Sequence, residues 1–373
     1  MIYLDYSANT PCDAAVLERF CSAEKQFIGN PNSSHSAGRS ANAALSEITA
    51  SIAARLGVQP CEIIYTSGAS KANNLGIKGI ARSSRHHGKH IISTPLEHAS
   101  VSAPLTYLQE QGYEIDIVNI GRDGKVELAH LRELLRKDTV LVAVCAVDSE
   151  LGTVQPIHEI AEILKDYPNC SFHVDATQAI GKIDFSFDGI DTASLAAHKF
   201  YGLNGSGILF KRKELVIEPL IHGGVGTTLY RSGTPTLSLA AALDTALELA
   251  LTELNERNRI VKERNSALRT ALSAYPKVRI NSPDEAVPHI LNISVQGVKA
   301  GIFQAALDKA GICVSVKSAC SVDGTPSRAV FAVSRNRQNA LSSWRISISH
   351  LTTEDEITQF LKAFDKCYKE LVK

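Results

Sequence analysis

Thr139-Val140-Leu141-Val142-Ala143-Val144-Cys145-Ala146-Val147, a helical pattern over residues 157–166, and then Ser171-Phe172-His173-Val174-Asp175 form the stretch that decides the fold. The first run is apolar almost throughout, as a strand covered on both faces must be. A helix between two such strands predicts a βαβ crossover, and therefore parallel pairing. Upstream the same alternation repeats. Strands are expected at 114–120, 90–93 and 62–66. Helices are expected at about 128–136, 102–111 and 70–85, and between Ser36 and Gly57, where Leu45, Ile48, Ile52 and Leu56 fall at helical spacing. The alternation ends after Thr234. Residues 237–272 read as one long helix or a bent pair. Strands at 277–280, 289–295, 314–317 and 344–349 follow, with helices at 302–310 and 354–372. The expected fold class is α/β: a large domain, 15–250, with a mainly parallel sheet flanked by helices, plus a smaller α+β C-terminal domain. That second domain is expected to combine residues 1–14 and 251–373.

Composition narrows the function classes. The chain has 373 residues, with Lys+Arg and Asp+Glu both at 39, so formal charge is zero. This gives no basic footprint for nucleic acid and no attraction to an anionic membrane. No apolar run approaches the roughly 20 residues a bilayer requires. The opening Met1-Ile2-Tyr3-Leu4-Asp5-Tyr6 is no secretory signal, which sets the expectation of a cytoplasmic protein. None of the eight cysteines forms a C-x-x-C pair, so neither a disulfide framework nor a thiolate metal site is expected. Cys145 and Cys313 lie in strand-like apolar runs and read as core.

Three segments carry chemistry in chain order. Thr66-Ser67-Gly68-Ala69-Ser70 joins a strand to a helix, where backbone N–H groups can cradle a phosphate. Asp175 ends an apolar strand, and ligands of open α/β sheets bind at such carboxyl ends. An acid there can hold a protonated pyridine nitrogen. Lys199, in Ala196-Ala197-His198-Lys199-Phe200-Tyr201-Gly202, is a candidate amine nucleophile. Cradle, acid and lysine together suit pyridoxal 5'-phosphate (PLP).

With these segments in view, the chain resembles the NifS/IscS-type cysteine desulfurases of the class V aminotransferase group, which have the fold-type I PLP architecture. The resemblance runs from Leu4 to the last helix. It rests on Gly29-Asn30-Pro31, Thr66-Ser67-Gly68-Ala69, Asn73-Asn74, Glu97-His98 and His173-Val174-Asp175-Ala176-Thr177-Gln178. It rests equally on His198-Lys199-Phe200-Tyr201-Gly202, Arg231-Ser232-Gly233-Thr234, Ser318-Ala319-Cys320-Ser321 and Arg345-Ile346-Ser347. The resemblance implies that Lys199 carries PLP covalently and later moves the Cα proton. Asp175 would pair with the pyridine nitrogen, Gln178 would donate to the ring's phenolate oxygen, and His98 would stack on the ring and assist proton transfer. Gly68, Ala69, Ser70 and His198 would hold the phosphate. Thr234 would reach the phosphate of a neighbouring subunit, which implies a homodimer. Arg345 would clamp the substrate carboxylate. Cys320 would be the nucleophile that takes sulfur, in a segment of about 318–337 that reads as a mobile loop.

The surrounding positions depart from the family. Asp148-Ser149-Glu150 stands where the family has Asn-Asn-Glu, so Ser149 replaces a residue that contacts cofactor and substrate. Ala196 replaces a phosphate-binding Ser, Lys71 a Glu, and Lys317 a Gly. Val225-Gly226-Thr227-Thr228 replaces Gly-Gln-Glu-Arg. The implied activity is conversion of L-cysteine to L-alanine with a persulfide on Cys320, passed to a sulfur-acceptor or scaffold protein such as one of iron–sulfur cluster assembly. The altered positions leave room for a selenocysteine lyase or another PLP-dependent β-lyase, or for a weakly active scaffold member.

Overall fold

The computed structural model describes residues 1–224, 229–317 and 325–372. Its strands are β1 (Ile2–Tyr3), β2 (Ile63–Thr66), β3 (His90–Ser93), β4 (Glu114–Ile117), β5 (Thr139–Cys145), β6 (Ser171–Asp175), β7 (Thr192–Ala196), β8 (Gly207–Lys211), β9 (Val278–Ile280), β10 (Ile290–Val295), β11 (Ile312–Cys313) and β12 (Ser343–Ser347). Seven of them form one sheet in the order β2-β8-β7-β6-β5-β3-β4. β7, β6, β5, β3 and β4 run parallel, as the alternation predicts. β8 is antiparallel to both β2 and β7. Register places Cys145 beside Asp175, and Asp175 beside Ser194, so the carboxyl ends of the three central strands lie level.

Both faces of the sheet are covered. Ile48, Ile52, Ile160, Val174 and Leu247 belong to one apolar core, and Ile77, Ile80, Val101 and Leu209 to another on the opposite side. The helix Ala69–Ser83 packs so closely on the sheet that a Cβ at Gly76 would come within 2.8 Å of the His173 ring. A third core joins Ile2 and Leu4 to Val261, Phe303, Trp344, Phe360 and Phe364. Here β1 pairs parallel with β11, and β10 lies between β12 and β9.

The long helical stretch is a pair of helices, one of its two expected forms: Leu237–Thr252 and Leu254–Ser273, broken at Glu253. Other local expectations change. Residues 314–317 are not a strand; β11 ends at Cys313, which is only half-buried, and Ser315 makes a single bridge to Arg345. Of the segment 318–337, residues 318–324 lie outside the described residues, and the rest is not a plain loop. A helix spans Arg328–Ser334, capped by Ser327 accepting from the Val330 N–H and anchored by buried Ala329, Val330 and Val333. Among the described residues no helix is long and apolar enough to cross a membrane.

Candidate active site

A cavity of about 320 Å³ opens at the level carboxyl ends of the sheet. It is lined by Gly68, Ala69, Ser70, His98, Ser149, Asp175, Gln178, His198, Lys199 and Arg345, so one place collects nearly all the residues singled out in the sequence. Two are missing. Thr234 is exposed and does not line the cavity of its own chain. Cys320 lies outside the described residues, as do Val225–Thr228.

Chain geometry explains each placement. Lys199 ends a single helical turn, Ala197–Lys199, directly after β7. Tyr201 then takes a left-handed conformation, φ 67°, which is costly for a non-glycine residue. Contacts with the N-terminal segment hold it there: the Tyr201 N–H donates to Thr10 Oγ1 at 2.8 Å, and its carbonyl accepts from the Asp13 N–H. The same segment receives the lysine, whose Nζ donates to the carbonyls of Ser7 (2.7 Å) and Ala8 (2.6 Å).

Asp175 is buried and well partnered. Oδ2 accepts from Asn73 Nδ2 at 2.9 Å, and Oδ1 from Ser194 Oγ and the Thr177 N–H. Beside it Gln178 Nε2 donates to the Ser7 carbonyl at 2.9 Å, while Gln178 Oε1 is buried without a partner. Thus the Gln178 amide donor expected to meet a cofactor oxygen is engaged by the backbone here. Ser7 Oγ and Thr177 Oγ1, which also line the cavity, are likewise buried and unpartnered.

The opposite end is shaped for an anion. The helix Ala69–Ser83 starts at the cavity with Gly68 as a cap that has no side chain and no acid in its first turn. First-turn N–H groups have no intrahelical partner, and the helix dipole favours negative charge there. Gly68 has φ +132°, a conformation that suits glycine. Ala196 forms part of this wall and offers no hydroxyl, while Lys71 lines the cavity too. Burial and the Arg231 charge lower the Lys71 pKa.

His98 caps the helix Ala99–Glu110 by accepting from the Ser100 N–H, and burial lowers its pKa. Burial, with Lys199 and Lys182 nearby, takes His198 down to about 4. Arg345, in β12, is 2 % exposed; Nη1 donates to the Ser149 carbonyl at 2.7 Å and Nη2 to Asp5 Oδ1 at 2.8 Å, while Nε has no partner. Ser149 therefore meets the arginine through its backbone.

Sequence reasoning gave no role in the site to four groups. Asn73 bridges Asp175 to Ser100, although it stood in a quoted motif. Lys182 is buried, with Nζ 3.3 Å from the Lys199 carbonyl, and burial followed by the Lys199 and Arg345 charges takes it down to about 7. Glu97 is buried behind His98 and raised to about 8 by burial, with Oε2 unpartnered. Cys145 is core, as expected, yet also walls the cavity; burial raises its thiol and keeps it protonated.

The aminotransferase class-V family model matches residues 2–360. The chain belongs to that family, among its cysteine desulfurases. It is 36% identical to a cysteine desulfurase IscS of Dictyoglomus turgidum, covering 99% of this chain and 95% of that protein. It is 37% identical to a NifS/IcsS protein homolog of Lactobacillus delbrueckii subsp. bulgaricus, covering 100% and 98%. A solved NifS-like protein superposes with a TM-score of 0.93 at 34% identity, covering 99% of this chain and 100% of the other. Family and fold agree with the resemblance read from the motifs.

Proposed function

We propose that this cysteine desulfurase uses PLP, held in the described cavity, to take sulfur from L-cysteine. The observation that carries the reading is the convergence on one cavity of an uncapped helix N-terminus, a buried acid and a lysine amine. The fit to PLP is supported by three buried polar atoms left without partners there, on Ser7, Thr177 and Gln178. Gly68, Ala69, Ser70 and His198 would hold the phosphate, Asp175 the pyridine nitrogen, and Lys199 the aldehyde carbon. When bound, PLP supplies the electron sink for the pair released at the substrate Cα.

The chain's own residues supply the rest. Lys199 takes the Cα proton, and the Ser7 and Ala8 carbonyls steer its amine. Arg345, fixed by Asp5, presents its planar fork to the substrate carboxylate. His98, on the cavity wall, would exchange protons with the substrate. Cys320 as thiolate attacks the substrate sulfur: the carbon–sulfur bond breaks, a sulfur–sulfur bond forms, and the carbon skeleton leaves as L-alanine once protonated. Cys320 is five residues from Ser315, which bridges to Arg345, so at most about 18 Å of extended chain lies between the two residues. At the far end Ser327 Oγ donates to Glu150, and Arg328 to the Glu97 carbonyl. The described residues on either side of the Cys320 segment thus contact Arg345, which lines the cavity, and Glu150 and Glu97, the chain neighbours of lining Ser149 and His98. Thr234, exposed in its own chain, would complete the phosphate site of a second copy in a homodimer. A cytoplasmic location and a sulfur-acceptor protein complete the proposal.

The test is incubation with L-cysteine. Alanine in step with protein persulfide, and borohydride trapping of the cofactor on Lys199, are the expected results. Pyruvate and ammonia in place of alanine would make the protein a β-lyase, the reading that Ser149 and the replaced stretch Val225-Gly226-Thr227-Thr228 keep open.

A further inference from the structure

The polar groups behind the cavity form one continuous chain whose donor direction can be worked out atom by atom. Asn73 is wholly buried at its centre. Its side-chain oxygen and nitrogen reach His173 Nε2 at 2.9 Å, Asp175 Oδ2 at 2.9 Å and Ser100 Oγ at 2.9 Å. A carboxylate oxygen accepts, so the group facing Asp175 must be the Asn73 amide N–H₂. Its second hydrogen then goes to Ser100 Oγ, and Asn73 Oδ1 accepts from His173 Nε2–H. His173 Nδ1 in turn accepts from Thr192 Oγ1 at 2.8 Å. Burial lowers the His173 pKa, which agrees with a neutral ring.

At the other end, Ser100 Oγ receives a hydrogen from Asn73 and has one of its own to give. It gives it to His98 Nδ1, 2.8 Å away. The same nitrogen accepts from the Ser100 backbone N–H at 3.1 Å. Two donors converge on His98 Nδ1, so that nitrogen carries no proton, and the neutral ring keeps its hydrogen on Nε2.

From this chain of bonds we infer that Asn73 is a positioning residue: by orienting the Ser100 hydroxyl it supplies the second of the two donors that hold His98 as the Nε2–H tautomer, the Ser100 backbone N–H being the first, while its other hydrogen holds Asp175. The inference rests on the proposed role of His98 in the cavity. It means that His98 meets the substrate first as a hydrogen donor rather than as a base. It also means that the acid and the histidine on the two sides of the site share one amide. To carry a proton on Nδ1, His98 would have to turn that nitrogen off the Ser100 backbone N–H, and the Ser100 hydroxyl would have to point its hydrogen toward the Asn73 N–H, where two donors would oppose each other.

The experiment is nitrogen-15 NMR of the holoenzyme with labelled histidine at neutral pH, the His98 ring being identified by its loss in His98→Gln. The expected spectrum shows His98 Nδ1 unprotonated and Nε2 protonated. A proton on Nδ1 in the wild-type protein overturns the inference. Asn73→Asp, of nearly equal size, places a carboxyl that shares one proton with Asp175 and offers the Ser100 hydroxyl an acceptor in place of the amide donor. The Ser100 hydroxyl should then donate to the new carboxyl and expose its lone pair to His98, leaving the Ser100 backbone N–H as the one donor of the pair still on Nδ1 and moving a measurable share of the ring to the Nδ1–H form. An unchanged His98 spectrum in a folded Asn73→Asp protein would remove Asn73 from the role. Neither readout depends on turnover. Absence of alanine formation would count against the desulfurase reading alone, and a misplaced ring proton against this inference alone.

Discussion

Arg345 and Asp5 pair at 2.8 Å across 340 residues of sequence, with the arginine side chain 2 % exposed. The pairing ties the first residues of the chain to β12 at the cavity wall. Ser315 Oγ donates to the other Asp5 oxygen at 2.7 Å, which fixes the carboxylate from both sides.

Removing the acid leaves a buried guanidinium without its counter-charge. Asp5→Ala should cost about 3 kcal/mol, the low end of the range for breaking a buried pair, because Asp5 keeps some exposure. It should also raise KM for L-cysteine, since Arg345 loses the contact that aims it. Urea unfolding and steady-state kinetics check both; a loss under about 1 kcal/mol with unchanged KM would show that Asp5 does not set Arg345.

Ala196 lines the phosphate end of the cavity and is fully buried. A hydroxyl there would add one hydrogen bond to a charged group, worth about 1.5–3 kcal/mol. Ala196→Ser should therefore slow loss of PLP on dialysis and tighten its equilibrium binding. Unchanged retention would mean that Lys71, on the same wall, already satisfies the phosphate.

How far the sequence could be read depended on what kind of group was involved. Asp175 and Lys199 were legible because each is a polar residue at the end of an apolar or small-residue strand, a place where packing gives it no other use. The βαβ alternation was legible from β2 to β6. Strand β8 was not, and β7 was read only as a small-residue stretch running into a turn, because Thr192-Ala193-Ser194-Leu195-Ala196 has little β-branched character and is held as a strand by its neighbours. The Ser7 and Ala8 carbonyls that receive Lys199 carry no side-chain signature. They arrive through the Asp5–Ser347 bridge and the pairing of β1 with β11. The orientation of Asn73 depends on partners 27, 100 and 102 residues away, which only the packed fold brings together. Lys182 escaped notice, and Glu97 stood in a quoted motif without a role, because their burial, not their position in a pattern, makes them unusual.

Glu97 gives a stability prediction with a definite sign. Burial, the largest cause, raises its carboxyl to about 8, against hydrogen bonds from Thr94 and the Cys145 N–H that act the other way. The folded protein therefore binds a proton there more tightly than the unfolded chain does. The associated stability is full below the ordinary value of 4.5 and is lost as pH rises toward 8. Asp148, raised to about 7 mainly by burial, adds a loss of the same sign. Glu97→Gln keeps an oxygen for the Cys145 N–H and should flatten the decline between pH 5 and 8 without abolishing it. Urea midpoints across that range read the effect, and an equal slope in both proteins would contradict it.

The central claim is that the cavity chemistry ends in sulfur transfer to Cys320, and mass spectrometry of the protein after L-cysteine addition tests it most directly. In the wild type the account predicts one added sulfur on the peptide containing Cys320, with alanine released in step. Cys320→Ser should still show the cofactor's absorbance change with L-cysteine, because Lys199, Asp175 and Arg345 are untouched. It should form no persulfide and release no alanine. A persulfide on another cysteine, or undiminished alanine from the Ser variant, would contradict the account.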